Sequence, residues 1–107
     1  MKKLLEAVTK LTAEELKNSY IKFPKFNSPH EGYAVILEEY EELKSEVLMI
    51  EEHLDSAWVY TKLNRDDVTK GRYLKLRQKA LNAAAESIQV AAMAQKFIDS
   101  FEVQNEQ

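Results

Sequence analysis

Two pairs of oxygen-bearing side chains share one spacing: Glu39 with Glu42, and Glu86 with Gln89. On a helix a three-residue offset sets side chains about 60° apart and about 4.5 Å along the axis. Each pair can therefore address a single ligand. If the two helices form an antiparallel hairpin turning near Asn64 and Asp66, the midpoints of the pairs lie equally far in sequence from Asn64, at one level. Three carboxylates and an amide oxygen converging there suit a hard divalent cation, Mg2+ or Mn2+. Like charges at Glu38/Glu42 and Glu42/Glu46 stand four residues apart and cost roughly a few tenths of a kcal/mol each on a bare helix, a strain that a cation relieves. Glu-rich helix faces are also common as plain solvated surface, so spacing alone leaves both readings open.

The elements that must position these residues are legible from caps and periodicity. Ser28, Pro29 and Glu31 form a Ser-x-x-Glu capping box, with proline at a site whose N–H would be orphaned. Behind it Tyr33, Ile36, Leu37, Tyr40, Leu43 and Val47 recur at helical spacing and predict one core-facing side, continuing through Ile50 and Leu54. Ala57, Trp58, Tyr60 and Leu63 either extend this helix or form a separate piece after a break near Asp55 and Ser56. Asn64, Arg65, Asp66 and Asp67 read as a turn, with Asp66 or Asp67 as the next N-cap. A last long helix follows to about Phe101, and the tail 102–107 is expected to fray.

Within that last helix Leu81, Ala84, Ile88, Ala91 and Ala92 predict one buried face, and Val90, Met93 and Phe97 a second in contact with another chain. Glu86 is the single charge between Lys79 and Lys96. A buried carboxylate needs a cation, a donor or water. At the N-terminus Leu4, Leu5, Val8 and Leu11 suggest one short helix. Thr12 with Glu15 suggests a second capping box, opening another helix to Tyr20 or Phe23. Pro24 and Pro29 make the link extended, with Phe23 and Phe26 pinning it to the core.

Composition agrees with a single all-α domain over residues 1–107. Hydrophobic content of 45% with 31% charge belongs to a globular chain, and two glycines and two prolines leave few helix breakers. No cysteine is present, so no disulfide framework applies. The opening MKKLL lacks the apolar core of a signal peptide, and no run suits a membrane span; the expectation is a soluble, cytoplasmic protein with no membrane partner. The net charge of −3 argues against a nucleic-acid partner. Acidic residues dominate 31–55, where Lys44 is the only lysine or arginine, and basic ones dominate 62–79. Such runs are usually solvated faces exchanging weak surface pairs; the alternative is a carboxylate site with cations nearby for a phosphate-bearing ligand. His30 and His53 are isolated and lack zinc-like spacing. Trp58, Tyr60 and Tyr73 can stack a base, though core packing is the commoner fate. No Gly-rich phosphate loop or serine triad is present.

Glu38-Glu39-Tyr40-Glu41-Glu42 resembles the Glu-Glu-x-x-Glu element of the MazG-like all-α nucleotide pyrophosphohydrolases. Glu86-Ser87-Ile88-Gln89 sits where that family carries Glu-x-x-Asp. The wording NSPHEGYAVILEEYEEL followed by ESIQVAAMAQKFID is similar to small phage-borne members. The likeness covers roughly residues 26–54 and 77–100. It implies a helical domain whose carboxylates bind Mg2+, which holds a nucleoside triphosphate while water attacks the α-phosphorus to give a monophosphate and pyrophosphate. By matching position it implies catalytic and metal-binding roles for Glu39, Glu42 and Glu86, with Gln89 as a metal ligand in the aspartate's place. Two departures stand out: Gln89 is neutral, and the gap from Glu42 to Glu86 is longer than in compact members.

The expected architecture is thus an antiparallel helical hairpin with short N-terminal helices. Such a pair cannot alone cover both apolar faces of its last helix, so a homo-oligomer, dimer or tetramer, is expected to complete a four-helix core. The expected function is Mg2+- or Mn2+-dependent hydrolysis of a nucleotide. The alternative is a non-catalytic helical module of the same ancestry that binds a nucleotide or a protein.

Overall fold

The computed structural model describes residues 1–101, which form three helices: α1 (Lys2–Lys22), α2 (Pro29–Lys62) and α3 (Asp66–Ser100). Among the described residues there is no strand, as composition implied. The expectation of a fraying tail at 102–107 lies outside the described residues. No helix among them is long and apolar enough to cross a membrane.

α1 is one helix of 21 residues, not the two short ones that Thr12 and Glu15 suggested. The Thr12 hydroxyl donates to the Val8 carbonyl at 2.8 Å instead of capping a new start. A threonine bonded four residues back is compatible with a helix interior, and nothing between Lys2 and Lys22 breaks the run. The helix ends at Phe23, in extended conformation before Pro24, with its N–H donating to the Ser19 carbonyl.

α2 begins as its sequence dictates. The Glu31 N–H donates to Ser28 Oγ at 3.1 Å, which makes Ser28 the cap. The Glu31 carboxylate reaches back one residue beyond the usual box and accepts the Asn27 N–H at 2.7 Å. The helix then runs unbroken for 34 residues, past Asp55 and Ser56. From Tyr33 to Lys62 it contains neither glycine nor proline.

Its end is a Schellman turn. Asn64 takes positive φ (55°), its N–H donates to Thr61, and the Arg65 N–H donates to Tyr60. α3 starts directly afterwards, its first backbone bond running from Thr69 N–H to the Arg65 carbonyl. Asp66 and Asp67 therefore occupy the first turn and are not the cap; there they complement the positive end of the helix dipole. The Arg65 guanidinium and the Val68 N–H hold the Asp67 carboxyl below its ordinary pKa.

The chain divides into two compact units, Met1–Tyr40 with Ser87–Gln107, and Glu41–Glu86. In the first, Gly32, Ala92, Met93 and Lys96 are buried. Phe26 is half-buried, and its N–H donates to Ser100 Oγ at 3.1 Å. The Phe23 ring is exposed, contrary to expectation; its carbonyl, not its ring, ties the link down by accepting Lys96 Nζ at 3.2 Å. The second unit is an antiparallel pair of helices: Lys79 Nζ lies 3.6 Å from Glu46, and Asn82 Nδ2 donates to the same carboxylate at 3.4 Å. Its buried residues are His53, Ala57 and Ala83.

The predicted core stripes need correction. On α2 the covered side runs through Gly32, Ile36, Glu39, Leu43, Glu46, Ile50, His53 and Ala57. Tyr33, Leu37, Tyr40, Val47 and Leu54 are exposed, because the apolar positions of this helix form two stripes one residue apart and only one is covered. On α3 Leu81, Ala84 and Ala91 are likewise exposed, while Ala92 and Met93 are buried. Trp58 and Tyr73 are exposed too, so core packing does not hold for them.

Candidate metal centre

Glu39 belongs to the covered stripe of α2, in step with Ile36, Leu43 and Glu46. Glu42 stands one turn further along the same unbroken helix. Glu86 stands on α3, and Glu42 and Glu86 are equally far in sequence from Asn64, the residue whose left-handed conformation turns the chain. The hairpin register thus sets the two glutamates at one level. One carboxylate oxygen from each of Glu39, Glu42 and Glu86 lies within 4.8 Å of the others. Glu39 and Glu86 are half-buried and Glu42 is exposed, so the group has a fixed side and an open side. The buried Ala83, one turn before Glu86, has no bulk beyond Cβ and permits close packing there.

The donor set fits a hard cation. Mg2+ binds oxygen at about 2.1 Å and Ca2+ at about 2.3–2.6 Å, so one ion spans oxygens up to about 4.2 Å apart for Mg2+ and about 4.6–5.2 Å for Ca2+. The 4.8 Å limit here suits Ca2+ as the oxygens stand, and Mg2+ draws the widest pair together by up to about 0.6 Å. Carboxylate oxygens with no sulfur or imidazole partner select Mg2+, Mn2+ or Ca2+ over zinc or copper. Gln89 lies one turn beyond Glu86 and is half-buried. Glu46, next along the stripe, is held by Lys79 and Asn82. Glu38 and Glu41 point to solvent.

The basic run does other things. Besides Lys79 on Glu46, Arg65 pairs with Asp67 at 3.3 Å, and Lys62 Nζ stands 5.3 Å from the centre of the Trp58 ring. These are exposed or half-exposed contacts of small individual worth. His30 is exposed and His53 buried.

Sequence reasoning passed over Lys96, which is only 2% exposed. Its ammonium donates to Ser19 Oγ at 2.8 Å and to the Phe23 carbonyl, and lies over the rings of Tyr20 and Phe26. Burial lowers its pKa, and Glu31 opposes that. The signal available was its place in step with Ala92 and Met93; a lysine there reads as a helix end until the Ser19 hydroxyl and the Phe23 carbonyl it serves are known. Lys96 forms a structural clamp on the end of α1.

No family model, no curated protein and no solved structure matches the chain.

Proposed function

We propose that this chain is a Mg2+- or Mn2+-dependent nucleoside triphosphate pyrophosphohydrolase-like protein, a single all-α domain over residues 1–107 that works as a homo-oligomer. The observation that carries the reading is the meeting of Glu39, Glu42 and Glu86 within 4.8 Å. It is the group that the Glu-Glu-x-x-Glu and Glu-Ser-Ile-Gln segments imply by resemblance. Glu39, Glu42 and Glu86 would hold a divalent cation, which would supply neutralisation of phosphate charge and activation of water. Glu39 and Glu86, half-buried, supply oxygens from fixed positions, and the exposed Glu42 faces the side from which a triphosphate arrives. A carboxylate of the group not engaged in binding takes up the proton of the attacking water. Water oxygen joins the α-phosphorus, the bond from that phosphorus to its bridging oxygen breaks, and pyrophosphate leaves. The apolar side chains exposed on α2 and α3 support the oligomer.

One observation favours a second reading. Gln89 is neutral where the resembling family has aspartate, which weakens ion binding and suits a module that holds a nucleotide or protein without cleaving it. A panel of NTPs and dNTPs with Mg2+ or Mn2+, scored for pyrophosphate release, separates the two. Release from any member, lost in Glu42→Gln, supports hydrolysis. No release, with nucleotide still raising the melting temperature, selects the non-catalytic module.

A further inference from the structure

Within the unit Glu41–Glu86, one ammonium group stands beside the carboxylates of both helices. On α3 Lys79 comes two turns before Glu86, about 20° round the helix from it and about 10.5 Å along the axis. On α2 Glu46 comes one turn after Glu42, about 40° round and about 6 Å along. Lys79 Nζ lies 3.6 Å from Glu46, so the ammonium sits roughly one helical turn from Glu42, on the side of the Asn64 turn. No other lysine or arginine of this unit is placed so. Lys44 is turned about 160° from Glu42 and Arg77 about 180° from Glu86. Lys75 and Arg72 stand at least one further turn away along α3.

We propose that Lys79 is the phosphate-binding cation of the carboxylate site, leaving Glu46 to take the terminal phosphate of a bound triphosphate. In this role Lys79 depends on the cation-dependent function put forward above and adds a direction to it. The polyphosphate lies along the hairpin from Glu42 toward the Asn64 turn. A triphosphate that arrives at Glu42 meets the negative charges of Glu42, Glu46 and Glu86, and a positive side chain within reach offsets that repulsion. Lys79 is free to serve. Its contact with Glu46 is longer than the roughly 2.7–2.9 Å of a charge-assisted hydrogen bond, so the ammonium is attracted there without being locked. Its side chain is 32% exposed, which lets a ligand reach it from solvent. The ammonium swings on a flexible aliphatic stem. When it goes, Asn82 Nδ2 still donates to the Glu46 carboxylate at 3.4 Å, so Glu46 keeps a partner. Glu46 with Asn82 is thus the resting place of Lys79 in the ligand-free chain.

The test is titration calorimetry on the intact chain with Mn2+ alone and with inorganic tripolyphosphate as its Mg2+ complex. Lys79→Gln should bind Mn2+ as the parent does, and the tripolyphosphate complex about tenfold or more weakly. Lys79→Arg keeps a cation suited to phosphate and should recover most of that affinity. Lys75→Gln removes the same charge one turn further from Glu86 and should stay close to the parent, which separates a direct contact from the general field. Glu46→Gln releases the ammonium from its resting partner and should bind the complex more tightly. Lys79 and Glu46 are both partly exposed, so losing their pair should leave the fold intact, as urea midpoints would show. A parent that binds no Mn2+ overturns the carboxylate site, and the role of Lys79 with it. Mn2+ binding without tripolyphosphate binding overturns the phosphate role alone and leaves the cation site standing. So does tripolyphosphate binding that is indifferent to Lys79→Gln, or that Lys75→Gln weakens as much.

Discussion

Glu42 on α2 and Glu86 on α3 sit at equal sequence distance from Asn64, and their carboxylate oxygens come within 4.8 Å of each other. Glu86→Gln keeps the shape and removes the charge. The expected result is a melting temperature that no longer responds to millimolar Mg2+ or Mn2+, with the metal-free fold equally or more stable as repulsion is relieved. A loss of roughly 3–5 kcal/mol with metal response intact would instead mark Glu86 as half of a structural ion pair.

Gln89→Asp supplies the carboxylate that the resembling family carries one turn beyond Glu86. Without metal it should destabilise the fold, because another negative charge joins the group. With Mn2+ it should melt higher than the parent, giving a steeper metal dependence by thermal shift. Unchanged behaviour in both conditions would show that Gln89 does not address the carboxylates.

Gly32 has no room for a side chain. A Cβ there would lie 2.5 Å from Phe97 Cδ2 and 3.1 Å from Phe26 Cδ2. Gly32→Ala should therefore destabilise by about 1–3 kcal/mol through overpacking, despite the roughly 1 kcal/mol that alanine gains in a helix. Urea denaturation measures the net; a stabilised variant would mean that the Phe97 ring moves aside freely.

Lys96→Met removes the donor to Ser19 and to the Phe23 carbonyl, so at neutral pH it should cost about 1–3 kcal/mol, less whatever is regained by no longer burying a charge. The pH dependence has a definite sign. With its folded pKa below the ordinary lysine value of 10.5, Lys96 loses its proton in the folded state first, so the parent gains stability as pH rises toward that value. The gap between parent and variant should widen as pH rises toward 10.5, read as urea midpoints. Tyr20 acts in the opposite direction at higher pH. Burial and its hydrogen bond to Asp99 raise its pKa, so its contribution is present below 10.0 and is lost as pH climbs above it. A constant gap would show that Lys96 titrates as an ordinary lysine.

The helices and the hairpin were legible in the sequence because their signals are local. Ser28 and Glu31 start α2, and Asn64 is a residue able to take positive φ where the chain must turn. The carboxylate group followed from these, since register about Asn64 brings Glu42 level with Glu86. Less legible was which stripe is covered. Tyr33 and Ile36 fit the same helical spacing, and periodicity cannot assign two adjacent apolar stripes to one partner. Gly32 held the answer, because a glycine early in a helix signals close approach, in this case by Phe97. Thr12 misled for a related reason: its hydroxyl can cap a new helix or bond back to Val8, and local sequence does not choose. Lys96 was invisible because its partners, Ser19 and Phe23, lie far away in sequence on another element.

The most direct test of the carboxylate site is a Mn2+ titration followed by the loss of the free-ion electron paramagnetic resonance signal, with and without a nucleoside triphosphate. The account predicts one site per chain in the parent, weakened in each of Glu39→Gln, Glu42→Gln and Glu86→Gln and tightened by nucleotide. Binding that is absent in the parent under both conditions, or equal in the parent and all three variants, would contradict it.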